Sequence, residues 1–242
     1  MKICVAQTKP VKADIAANIT AHKKMIEAAV MNGAEMIIFP ELSITGYEPE
    51  LADELATNQD DKRFDVFQEL SDTGKIVIGV GMSIKNGNGI CIGMILFQPK
   101  KERQIYIKKY LHADEEPFFN SGQSFVSVVI KETTVAPAIC YELSIPEHSE
   151  TAFKSGAEIY MVSVAKSEGG ITNAYKTLAT LAQTYAMTVL MSNCLGHCDN
   201  FESAGKTAIW NKAGQLIGQL DDVSEGILAY DTETQDITNF KL

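Results

Sequence analysis

Within its first forty residues the chain sets an apolar run, Lys2 to Gln7, ahead of an amphipathic stretch, Asp14 to Asn32, and a second apolar run, MIIF at 36–39. Ile15, Ile19, Met25, Ile26 and Ala29 recur at near-helical spacing, and Gly33 ends the pattern. Strand, helix, strand in that order is the signature of a layered α/β domain. The next segments complicate it. After an amphipathic helix expected over 60–73, with Phe64, Phe67 and Leu70 on one face, come three strand-like runs, KIVIGVGMSI, GICIGMILFQ and RQIYIKKYL. The first two are joined by KNGNG, a turn rich in Asn and Gly that favours an antiparallel hairpin.

FVSVVI and Thr133 to Ile139 form a second hairpin around KET, and Pro146 to Gly156 reads as a helix opened by Pro and closed by Gly. Strand EIYMVSVA, loop KSEGG, a long helix from Thr172 to Tyr185 and strand TVLMSNC follow. The stretch HCDNFESAG reads as a loop, KTAIWN and QLIGQL as a hairpin, GILAYD as a last strand, and the tail TETQDITNFKL carries no pattern that fixes it. Strands that occur both with helical crossovers and in hairpins predict mixed sheets, and an α-β-β-α sandwich over a single domain, residues 1–242, fits the inventory.

Charge narrows the partners. A formal net charge of −10 repels nucleic-acid phosphates and anionic membranes, which favours small molecules or neutral partners. The opening MKICVAQTKP lacks the apolar core of a signal peptide, and nowhere do about 18 uncharged apolar residues run together. A cytoplasmic protein is expected, so Cys4, Cys91, Cys140, Cys194 and Cys198 should remain reduced. Cys4 and Cys91 fall in core strands. Cys194, His197 and Cys198 lie together, but a structural metal site wants a second ligand pair that the sequence lacks, so no metal is expected.

Three residues have chemistry and sit at the ends of strands, where open α/β sheets place their sites. Cys140 closes one at a strand-to-helix turn, Glu41 follows MIIFP, and Lys108 lies near the end of the strand-like run IYIKKYL. A thiol, a carboxylate able to take its proton and an ammonium able to hold an oxyanion would make a nucleophilic site if they converge. On the residues alone each also fits a quieter role: a core cysteine, a solvated loop glutamate, a solvated edge lysine.

The segments FPELSITGY at 39–47, YIKKYL at 106–111 and CYELSIPE at 140–147 together resemble the carbon–nitrogen hydrolase (nitrilase) superfamily, in order and with typical intervals. The amino-terminal KICVAQTKPVKADIAANI and the late GKTAIWNKAGQLIG extend the resemblance over nearly the whole chain. It implies Cys140 as nucleophile, Glu41 as general base and Lys108, rather than Lys109, as oxyanion stabiliser. Glu115 takes the part of the family's second glutamate, with Glu116 as the alternative, and the backbone N–H of Tyr141 assists at the oxyanion. Glu142 and Ser144, where many members have Asp and Arg, are expected to border the substrate.

The implied activity is cofactor-free hydrolysis of a non-peptide C–N bond in a small amide or N-carbamoyl compound through a Cys thioester. Nitrile hydrolysis, acyl transfer and a catalytically silent binding homologue are its rivals. A homodimer or larger homo-oligomer is also implied. Selectivity is expected from loops at 44–58, 112–124, 142–148 and 166–173, with His112 and His148 as possible pocket neighbours.

Overall fold

The computed structural model describes residues 1–87 and 89–241. Strand β1 (Lys2–Gln7) leads through helix α1 (Ile15–Met31) to β2 (Met36–Ile38); the short α2 (Ala52–Leu55) and α3 (Asp65–Gly74) precede β3 (Val77–Asn86), β4 (Gly89–Phe97) and β5 (Gln104–Ile107). The second half runs β6 (Val128–Ile130), β7 (Thr133–Ile139), α4 (Pro146–Lys154), β8 (Ile159–Val164), α5 (Glu168–Tyr185) and β9 (Thr188–Asn193). Strands β10 (Leu195–Cys198), β11 (Phe201–Ala204), β12 (Ala208–Trp210), β13 (Leu216–Gln219), β14 (Gly226–Asp231) and β15 (Ile237–Lys241) complete it.

Two mixed sheets result, ordered β15-β14-β1-β2-β3-β4-β5 and β13-β12-β9-β8-β7-β6. Pairing is parallel where a helix crosses over (β1 with β2, β2 with β3, β7 with β8, β8 with β9) and antiparallel in the hairpins. Period-two alternation divides each strand between two cores. Ile3 and Val5 of β1 face the other sheet, meeting Ile159, Met161 and Leu190, whereas Cys4 and Ala6 face Met25, Ile26 and Ala29 of α1. On the far side Tyr160, Val162 and Val164 pack under Ala174, Leu178 and Leu181 of α5. Helices outside, two sheets within: the layers are α-β-β-α. Hydroxyls tie the sheets together, Ser163 Oγ donating to the Phe39 carbonyl (2.7 Å) and Ser192 Oγ to that of Ala6 (2.5 Å).

Three expectations need revision. Helix α5 starts at Glu168 rather than Thr172, because Ser167 caps it, accepting from Gly170 N at 3.4 Å, and Glu168 places a negative charge in the first turn. The stretch read as a loop, HCDNFESAG, belongs to the hairpin β10–β11. The unpatterned tail forms β15, paired along β14, with Phe240 packed against the core under α1; Leu242 lies outside the described residues. The β3–β4 pairing follows the expected hairpin, although Asn88 of the KNGNG turn is outside the description.

Candidate active site

Four strands deliver the candidate residues to one edge: Glu41 follows β2, Lys108 follows β5, Cys140 follows β7 and Lys166 follows β8. The Glu41 segment is held from below by β3, where Ile44 N donates to the Gly81 carbonyl at 3.0 Å. Gly81 is required there, since a Cβ would lie 2.4 Å from Leu42 N and 2.5 Å from Pro40 O. From the helix side, neutral His22 supports the same turn. Its Nδ1 donates to the Asn18 carbonyl (2.7 Å), so its Nε2 accepts from Ser43 Oγ (2.9 Å), and burial lowers its pKa to about 4.

Lys108 is fully buried, with Nζ 2.7 Å from Glu41 Oε1 and 2.6 and 2.8 Å from the two oxygens of Glu115. Burial works against its charge, but Glu41, Cys140 and Glu115 more than reverse that and hold it protonated above the ordinary lysine range. Glu115 is itself fixed, accepting from Tyr47 Oη (2.9 Å) and from the backbone N–H of His112 (2.8 Å). Glu116 is exposed, so Glu115 is the acid turned inward. Burial raises the Glu41 carboxyl to about 7 against the pull of Lys108, with Glu115 adding to the rise. Its Oε2 is buried with no aligned donor among the described residues. Cys140 nevertheless lies close enough to act on Glu41's titration as a hydrogen-bonding neighbour.

Cys140 takes a left-handed backbone, φ +43°, at the head of a 3-10 turn spanning Cys140–Ser144. A non-glycine residue there costs of order 1–3 kcal/mol, and such strain concentrates at functional positions. The thiol is raised to about 11 by burial and then by Glu41, while Lys166 and Lys108 oppose the rise. The resting group is therefore a thiol, beside the Glu41 carboxyl.

Glu142 and Ser144 are not where the sequence reading puts them. Ser144 is exposed and off the pocket. Glu142 is turned into the core, accepting from Ile139 N (2.7 Å), Lys109 N (2.7 Å) and Tyr106 Oη (2.5 Å). Tyr106 Oη in turn meets His148 Nε2 at 2.7 Å, and His148 Nδ1 meets Tyr160 Oη at 2.7 Å. One buried carboxylate thus fastens the residue after Lys108 to the residue before Cys140. The sequence gives no sign of this, because the partners are main-chain groups and a tyrosine from another sheet.

A cavity of about 230 Å³ opens over Cys140, lined by Tyr47, His112, Glu115, Tyr141, Lys166 and Phe201 among others. Three of the four loops expected to read the substrate contribute to it; 142–148 does not. Phe201 comes from β11, in the segment read as loop, and packs near Tyr47 at 5.8 Å between ring centroids. Cys194 and Cys198 are buried, Sγ to Sγ 3.4 Å, while His197 is exposed and pairs with Glu202.

The sequence pattern of the carbon–nitrogen hydrolase family matches residues 2–242. A protein described as "Hydrolase in agr operon" from Staphylococcus aureus is 26% identical over 244 residues, covering 98% of this chain and 93% of that protein. The NitN amidase of Nesterenkonia sp. AN1 superposes with a TM-score of 0.86 at 21% identity, over 96% of this chain and 92% of that one. A mutant of the same amidase, described as showing covalent addition of the acetamide moiety of fluoroacetamide at its active-site cysteine, matches with a TM-score of 0.85 at 20% identity, over 95% and 89%. The chain belongs to the carbon–nitrogen hydrolase family, enzymes that hydrolyse C–N bonds other than peptide bonds. Among the described residues no helix is long and apolar enough to cross a membrane.

Proposed function

We propose that the chain hydrolyses a small amide through a thioester on Cys140. The observation that carries this reading is the buried Lys108 ammonium clasped between Glu41 and Glu115 at the edge where Cys140 ends its strand. A carboxyl raised to about 7 is matched to proton transfer near neutrality. Glu41 takes the thiol proton as sulfur attacks the amide carbon. The oxyanion is stabilised by Lys108 Nζ, which turns one of its two contacts with Glu115 toward it, and by the Tyr141 N–H. Collapse of the tetrahedral species expels the amine with the proton from Glu41, which then deprotonates a water to hydrolyse the thioester. The acetamide adduct of the Nesterenkonia amidase mutant supports a thiol in this part of the fold.

Intact-protein mass spectrometry during turnover of small amides, with ammonia release followed in parallel, tests this. An acyl adduct and ammonia are expected from the wild type and neither from Cys140→Ser. Comparable ammonia release by Cys140→Ser sinks the mechanism.

A further inference from the structure

Each acid around the pocket has a hydrogen-bonding partner, and one lysine there has no ion-pair partner among the described residues. Glu41 and Glu115 are met by Lys108, and Asp114 is met by His112 Nδ1 at 2.6 Å. Glu168, two residues from Lys166, is taken by Lys206 at 2.7 Å. Lys166 lines the cavity and forms no ion pair with a carboxylate among the described residues. Its backbone is pinned on both sides. The N–H donates to Asn193 Oδ1 (2.9 Å), and the carbonyl accepts from Asn193 Nδ2 (3.1 Å), Ser203 Oγ (3.1 Å) and Ala204 N (2.9 Å). The residue before it, Ala165, has its carbonyl 4.0 Å from Cys140 Sγ. The backbone that carries this half-buried lysine is therefore fixed beside Cys140, at a cavity whose walls include Tyr47, Tyr141, Phe201 and Ala165, with Asp114 and Glu115 also on its lining.

We propose that Lys166 selects substrate by pairing with a carboxylate, so that the amide hydrolysed is the monoamide of a short dicarboxylic acid. The inference rests on the hydrolytic reading above and supplies its substrate class. A lysine without an ion-pair partner, at a cavity with aromatic and alanine walls, is complementary to an anionic group at the end of a carbon chain. Length is limited by the cavity: about 230 Å³ is below the roughly 300–1,000 Å³ of pockets for drug-sized ligands, and Lys166 stands close to Cys140. The chain's formal charge of −10 opposes anions at long range, but screening over about 8–10 Å leaves the contact itself to decide.

The test compares kcat/KM for succinamate and glutaramate with that for the neutral butyramide and valeramide, in wild type, Lys166→Met and Lys166→Arg. The wild type should favour the anionic pair about tenfold or more. The anionic-to-neutral ratio should collapse by a similar factor in Lys166→Met and largely survive in Lys166→Arg. A wild-type preference for the neutral amides overturns the inference. So does a Lys166→Met variant that loses both pairs in step, which would place Lys166 at the sulfur instead. If the wild type turns over none of the four, amide hydrolysis itself fails, and calorimetry of Cys140→Ala decides on binding alone. Succinamate binding that is lost in Cys140→Ala/Lys166→Met sustains the carboxylate site. Absent binding, or binding equal to that of butyramide, ends it.

Discussion

Glu41 illustrates how a single residue's environment sets its chemistry. The position after MIIFP is apolar, so a carboxylate there is desolvated, and its one close cation is shared with Glu115. Desolvation and the second acid outweigh Lys108, so the carboxyl titrates near 7 rather than in the ordinary range. On the proposed mechanism the base form accepts the thiol proton, so kcat/KM should rise with pH along a limb with an apparent pKa near 7, a value that belongs to the coupled cluster. A limb near the ordinary carboxylate value, about 4.3, would show that the site is wetter than the geometry indicates. That Glu41, Lys108 and Cys140 fall at or near strand ends was legible in the sequence, but only the family resemblance singled them out. Their protonation was not, since it depends on which acids meet Lys108.

At the scale of elements, the 3-10 turn carrying Cys140 and the end of β5 carrying Lys108 come from different sheets, and Glu142 is the strut between them. Glu142→Gln keeps the shape but puts an NH₂ opposite groups that now donate. At least one of the bonds from Ile139, Lys109 and Tyr106 is lost, at a cost of about 1–3 kcal/mol. Urea unfolding should register that loss and kcat should fall with it; a variant matching the wild type in both would reduce Glu142 to filler. Most elements were legible from periodicity, and β7 begins and ends where its β-branched run does. The exceptions have local causes. The cap at Ser167 pulls α5 forward through two glycines, and β15 is recruited by the open edge of β14 despite a polar sequence.

For the molecule as a whole, buried neutral histidines make stability sensitive to mild acid. His22 and His148 both have pKa values lowered to about 4, chiefly by burial. Between pH 6.5 and 4 the unfolded chain binds protons that the folded one refuses, so each costs stability as pH falls, about 2 kcal/mol by pH 5. Glu41, raised to about 7, acts in the opposite sense over that window, because there the folded state binds the extra proton. The difference between wild type and His22→Gln isolates the histidine. The variant should lose about 2 kcal/mol less between pH 7 and 5, and parallel profiles would refute the assignment.

The site is divided between the layers: Glu41 and Lys108 follow strands of one sheet, Glu115 lies in the connection after β5, and Cys140 follows a strand of the other sheet. On the proposed mechanism neither half would work alone, and the sulfur meets its base only where the two sheets are packed together, through the apolar core between them and the hydroxyls of Ser163 and Ser192. The first appearance of turnover in a refolding mixture would then report that the two layers have docked.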